Sequence, residues 1–160
     1  MFGDSNLKVW RPGLVLGLVL AGTTLALAGG FWISLYSPKA PVAANIPDAA
    51  AVVAVEGCHN PADAVMTGTA EGLVGGKRQS VSLKFTPTSK PGVYVVKRQW
   101  PVEGVWVLSI TAKNMGLSTT AMVEVGPNGQ AKSFPSKVYS KSVSPSEVEA
   151  ALQRMAGKTT

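Results

Sequence analysis

The feature that most constrains this chain is a run of uncharged residues, 12–38, most of which are apolar as far as Tyr36. A helix over residues 13–36 would extend roughly 36 Å at about 1.5 Å per residue, which exceeds the hydrocarbon core of a bilayer, about 30 Å thick. A segment of this length and composition is typical of a membrane-spanning helix. The sequence therefore predicts that the rest of the chain is held at a membrane.

Charges beside this run predict its orientation. Lys8 and Arg11 precede the run, whereas Lys39 is the only charged residue close behind it. Because basic residues favour the cytoplasmic side, residues 1–11 are expected in the cytoplasm and the C-terminus outside. The prediction is a single-pass transmembrane anchor, a signal-anchor, over residues 12–36.

A cleaved signal peptide is the alternative. The small residues of Ala26-Leu27-Ala28 suit a cleavage site, and cleavage after Ala28 would make Gly29 the N-terminus. The site lies inside the hydrophobic run, however, because Phe31–Tyr36 continues the apolar character. In an uncleaved anchor, Trp32 would mark the outer membrane interface, where amphipathic rings settle. This continuation favours the uncleaved anchor.

The part beyond the run is long enough for one small domain. It is rich in Gly, Pro, Ser, Thr and Val, which is the composition of short strands joined by turns. Residues 37–50 contain three prolines and no periodic apolar pattern, so they are predicted to form an extended tether. The domain itself is expected to occupy residues 51–140.

Six or seven short strands are predicted in this domain. Trp106, Leu108 and Ile110 alternate with other residues and should share one face of a strand over residues 105–112. The other expected strands are residues 51–56, 64–73, 78–86 (with Val81, Leu83 and Phe85 on one face), 93–100 and 119–125, and an edge strand over 130–138 that contains Pro135. Regular spacing without intervening helices predicts an all-β fold, an antiparallel immunoglobulin-like β-sandwich.

The C-terminal end has a different pattern. Ser144-Pro145-Ser146-Glu147 forms a capping box with proline at the first helical position. Val148, Leu152 and Met155 then recur at helical spacing. A short helix is therefore predicted over residues 143–157, with its apolar stripe docked on the sandwich or left for a partner, of which docking is favoured.

Charge and cysteine content limit the classes of function. Beyond Tyr36 the chain carries 13 Lys and Arg against 8 Asp and Glu, a basic balance that suits solubility or weak attraction to anionic lipids. Nucleic-acid binding is not expected for a domain outside the cytoplasm without a recognised binding signature. Cys58 is the single cysteine, so no internal disulfide can form.

Two neighbouring segments bear a family resemblance. Gly92-Val93-Tyr94 and residues 100–110 combine a Gly-x-Tyr strand, a Pro-x-x-Gly turn and a Trp-x-Leu-x-Ile strand. This arrangement resembles the exported immunoglobulin-like modules of the YtkA-like and FixH-like type. The resemblance implies a small bacterial β-sandwich on the outer side of the cytoplasmic membrane, in the periplasm or outside the cell. The resemblance also implies that such a module can be associated with copper handling or respiratory oxidase assembly, as in some members of these families.

Copper binding is the one specific chemistry that the residues suggest. Cys58 and His59, with a methionine such as Met66, would supply thiolate, imidazole and thioether ligands, a set that selects Cu(I). Adjacent residues on an extended chain point to opposite faces, so both could ligate only from a turn, which Asn60-Pro61 permits. The competing interpretation is that Cys58 packs as a small apolar side chain and His59 is a solvated turn residue.

The sequence offers little support for catalysis. His59 is the only histidine, and its position next to Cys58 in sequence does not make the two a catalytic pair. Glu103 could pair with Glu56 or Glu124, although surface charge is the simpler interpretation. The predicted function is therefore a membrane-anchored, extracytoplasmic binding or assembly module without catalytic activity or cofactor, whose partner is another membrane or periplasmic protein. The alternative is a periplasmic copper-binding or copper-chaperone protein.

Overall fold

The computed structural model describes residues 30–132, 137–139 and 142–157. Short 3₁₀ turns lie at Pro41–Ala43 and Pro61–Asp63. The strands and the helix of the described chain are, in order, β1 Trp32–Tyr36, β2 Ala49–Glu56, β3 Val65–Val74, β4 Lys77–Ser82, β5 Phe85–Pro87, β6 Val93–Lys97, β7 Val105–Asn114, β8 Leu117–Glu124, β9 Lys137–Tyr139 and α1 Pro145–Ala156.

The strands form two antiparallel sheets that pack face to face. One sheet has the order β1-β2-β6-β5, and the other has the order β4-β3-β7-β8-β9. Side chains from both sheets meet in a single apolar core. The predicted all-β architecture of antiparallel strands followed by one C-terminal helix is confirmed.

The register predicted for the central strand β7 is also confirmed. Trp106 is 2% exposed, and Leu108 and Ile110 are fully buried in the core between the sheets. Trp106 packs against Trp100 with 6.5 Å between the ring centroids. Since side chains alternate along a strand, the residues between them point to the opposite face of the same sheet.

The prediction of a transmembrane helix over residues 12–36 is wrong for residues 32–36. Residues 32–36 are not the end of a helix but strand β1, which pairs with β2 from Trp32↔Glu56 to Tyr36↔Val52. Ile33 and Leu35 are each 3% exposed in the core. Burial in the sandwich, and not in a membrane, explains why this segment is apolar. Most of the predicted anchor, residues 12–29, lies outside the described residues. Within those that are described, no helix is long and apolar enough to cross a membrane.

The predicted tether, residues 37–50, is part of the domain as well. The chain turns back through Pro41–Ala43, and Ala43 is 2% exposed. Ala43 packs with Val52 and Val95 on the face of the first sheet that points away from the core. The segment is compact because it covers apolar residues on that face, and the domain therefore begins before residue 51.

The strand predicted over residues 78–86 is two strands in different sheets. β4 pairs with β3 in the second sheet, whereas β5 pairs with β6 in the first. The chain crosses between them at Leu83, which is 8% exposed. Alternation continues through the crossing because Val81, Leu83 and Phe85 all pack against the same core.

Helix α1 covers the outer face of the second sheet, as the docking prediction expected. The Ser144 hydroxyl accepts a hydrogen bond from the Glu147 backbone N–H, and the Glu147 carboxylate accepts one from the Ser144 backbone N–H. Leu152 is fully buried and packs with Val107 of β7. Arg154 donates to the Glu124 carboxylate at 3.1 Å, which adds a charged contact between helix and sheet.

Candidate functional site

The most developed polar arrangement in the described chain is centred on the carboxylate of Glu56, at the end of β2. Because Ile33 and Leu35 point into the core, the residues that alternate with them on β1 point outward. Three of these side chains donate to Glu56: Trp32 Nε1 at 2.8 Å, Ser34 Oγ at 2.6 Å and Tyr36 Oη at 3.0 Å. We call these four residues the Glu56 cluster.

Hydrogen bonding determines the ionisation of the Glu56 cluster. The Ser34 hydroxyl bond lowers the pKa of Glu56, partial burial opposes this effect, and the bonds from Trp32 and Tyr36 reinforce it. The same contact with Glu56 raises the pKa of the Tyr36 phenol. Both shifts stabilise one state, in which Glu56 is an anion and Tyr36 is a neutral donor.

The cluster holds two large aromatic rings at the surface. Trp32 is 41% exposed and Tyr36 is 47% exposed. Their polar atoms are both bound to one carboxylate, which restricts ring rotation and leaves apolar ring surface open to solvent. Fixed aromatic rings with a polar group are the side chains that most often dominate protein interfaces.

The residues predicted to bind copper lie in and beside the loop between β2 and β3. Cys58 is half-buried and packs against the core, whereas His59 is exposed. Met66 follows on β3, half-buried against the same core. Among the described residues, no group of three or more His, Cys, Asp and Glu side chains is arranged to hold a metal ion. Copper binding through Cys58, His59 and Met66 stays a prediction.

Glu56 and Glu103, considered as a catalytic pair, do not come together. Glu56 lies at the end of β2, where β1 begins, whereas Glu103 precedes the first residue of β7, at the opposite end of the sandwich. Burial raises the pKa of Glu124, but hydrogen bonds from Arg154 and Lys132 outweigh it and lower that pKa overall. Glu124 thus holds the helix and the following chain to β8, which is a structural role.

Sequence reasoning treated Glu56 as a surface charge and missed its cluster. One signal was present: aromatic and hydroxyl residues alternate with Ile33 and Leu35 at the end of the apolar run. Three donors on one face of a strand can share an acceptor on the neighbouring strand, and Glu56 closes the next apolar segment.

Comparison with protein-family models, with curated proteins and with solved structures finds no match to this chain. The resemblance to the YtkA-like and FixH-like modules therefore stays an expectation drawn from the residues.

Proposed function

We propose that this protein is a membrane-anchored, extracytoplasmic immunoglobulin-like module that binds another membrane or exported protein and does not catalyse a reaction. The strand order supports the immunoglobulin-like assignment. The order β1-β2-β6-β5 corresponds to the A-B-E-D sheet of that fold, and β4-β3-β7-β8 corresponds to its C′-C-F-G sheet, to which this chain adds β9 at the edge.

A local contact also supports this assignment. Trp106, the second residue of β7, donates from Nε1 to the Glu103 backbone carbonyl at 2.9 Å. In immunoglobulin domains, a tyrosine near the start of the corresponding strand F bonds to the backbone a few residues upstream. Trp106 makes a comparable bond at the same corner.

The observation that carries the proposed binding function is the Glu56 cluster. Binding costs less free energy when the contacting side chains are already ordered, because fewer rotamers are lost on association. Trp32 and Tyr36 meet this condition, since each is fixed through Glu56 while more than a third of its surface stays exposed.

The electrostatics of the cluster support binding over catalysis. A general base must accept a proton in the transition state, and its pKa is best placed near the working pH. Glu56 already accepts three hydrogen bonds, and its pKa is lowered. Glu56 is therefore better suited to orienting Trp32, Ser34 and Tyr36 than to acting as a general base.

Photo-crosslinking in the cells that make the protein would test this function. A photoreactive phenylalanine replaces Ser37, next to Tyr36, in one variant and Val102 in another, two exposed positions that leave all four residues of the Glu56 cluster in place. We expect a discrete adduct with one membrane or exported protein from position 37 and none from position 102. Adducts of equal yield at both positions, or at neither, would contradict the proposal.

A second variant tests whether the charge of Glu56 is needed for binding. Glu56→Gln in the position-37 background keeps the size of the side chain but removes its charge. If Glu56 orders the binding surface, the yield of the adduct falls, whereas the control substitution Glu103→Gln leaves it unchanged.

A further inference from the structure

Three segments of the chain meet at one end of the sandwich. The described chain enters at Gly30, and a side chain on Gly57 would collide with its carbonyl. The loop between β2 and β3 contacts the hairpin between β7 and β8, because Asn114 Nδ2 donates to the Asn60 carbonyl at 3.0 Å. Val65, the first residue of β3, lies opposite Lys113 at the same end. We call this part of the surface the entry end.

Exposed apolar side chains are concentrated at the entry end. Val65 is 61% exposed, Leu117 is 57% exposed and Met115, at the hairpin tip, is 90% exposed. With Lys113, these three residues line one shallow depression. Trp32 is the fourth large hydrophobic residue exposed at this end, whereas Val102 lies at the opposite end.

The backbone conformation at Met115 is unfavourable for an exposed methionine. Met115 has φ +47° and Gly116 has φ +80°, the left-handed conformation of a tight hairpin. Asn, Asp or Gly is preferred at such a position, because a side chain like methionine is strained there. The hairpin therefore carries an apolar side chain at its most exposed point, where a polar residue would suit both the turn and water.

We propose that the entry end rests on the bilayer, with Val65, Met115 and Leu117 inserted among the lipid headgroups. This inference rests on the proposed membrane anchorage and adds the orientation of the domain. In the sequence, the apolar run continues directly into β1, which begins at Trp32. Since no tether separates that run from β1, the same end of the sandwich faces the membrane that the run would occupy.

Charges are balanced at the entry end, where two lysines accompany Asp63, which lines the same depression as Met115, and the Glu56 carboxylate. Lys113 is exposed beside the apolar tip, and Lys90 is exposed in the loop between β5 and β6. That loop belongs to this end because the Val55 N–H donates to the Gly92 carbonyl at 2.9 Å. Lysines near a membrane surface are attracted to anionic headgroups. The proposed insertion therefore rests on the apolar tip, with Lys113 as the cation placed to contact the headgroups.

The test uses the full chain with Cys58→Ser and one new cysteine, at Met115→Cys or at the matched control Val102→Cys. Each is labelled with an environment-sensitive fluorophore and reconstituted in vesicles of equal parts phosphatidylethanolamine and phosphatidylglycerol. We expect the emission at position 115 to shift to the blue, and spin-labelled lipid to quench it roughly twofold or more, because the probe lies at headgroup depth. The probe at position 102 should show neither effect.

Flotation of the vesicles separates this inference from the anchorage on which it rests. Protein that floats with the vesicles while the probe at position 115 stays in water overturns the orientation and leaves the anchorage intact. Protein that does not float, with an unshifted probe, overturns both. A blue shift at both positions also overturns the inference. To exclude misfolding as the source of a blue shift, the experiment is repeated in a Cys58→Ala background shown to be folded by circular dichroism.

Discussion

Trp32 and Glu56 are directly opposed residues on β1 and β2, and the indole N–H of Trp32 donates to the Glu56 carboxylate at 2.8 Å. This pair fixes the register of the N-terminal strand. A slip by one residue would move Ile33 to the surface and place Trp32 in the core. The cluster that we propose to bind a partner thus also helps to specify the edge of the first sheet.

The Glu56 cluster should make the stability of the fold depend on pH. The pKa of Glu56 is lowered from 4.5, so its folded state favours the anion and gains stability above that value. This contribution is lost as the pH falls through the lower folded-state pKa. In denaturant unfolding at several pH values, the free-energy difference between wild type and Glu56→Gln should be largest near neutral pH and shrink in acid. A difference that does not change with pH would contradict this assignment.

Trp106→Ala should remove about 3–5 kcal/mol from the free energy of unfolding, because the indole is buried and its loss leaves a cavity. The matched control Trp32→Ala should cost clearly less, since Trp32 is 41% exposed. Chemical denaturation of both variants measures the difference. A loss of under about 1 kcal/mol for Trp106→Ala would be typical of a surface position and would contradict the register of β7.

The sequence predicts a segment well where large apolar side chains alternate with smaller or polar ones. Trp106, Leu108 and Ile110 follow this pattern, and their register could be predicted from alternation alone. The pattern fails for β1, because its outer face carries Trp32 and Tyr36. Hydropathy does not distinguish an aromatic ring held at the surface from one in a membrane, so the strand was merged with the apolar run before it.

The candidate site depended on information that local sequence does not contain. Glu56 is separated from its three donors by 20 to 24 positions, and only the pairing of β1 with β2 brings them together. The sheet change at Leu83 could not be predicted for a related reason. Alternation describes which side chains face the core, but not which sheet supplies the strand.

Cys58 should behave as a packing residue. Its side chain packs against the core, so we expect a water-soluble thiol reagent to label it slowly in the folded protein and rapidly after unfolding. Added Cu(I) should change neither the labelling rate nor the melting temperature. Rapid labelling of the folded protein that Cu(I) blocks and Zn(II) does not, together with a raised melting temperature, would instead indicate a copper site.

The position of β1 sharpens the prediction for the N-terminal run. With Trp32–Tyr36 in the sheet and Gly30 packed beside Gly57, the uncharged residues left to cross a membrane are 12–29, roughly 27 Å as a helix, close to the hydrocarbon thickness of about 30 Å. We expect protein recovered from membranes to resist carbonate extraction and to have the intact mass of the full chain. Ala28→Leu, which blocks signal-peptide cleavage, should change that mass only by the substitution. A soluble wild-type form that begins at Gly29 would show that the run is a cleaved leader and that the domain is released with β1 complete.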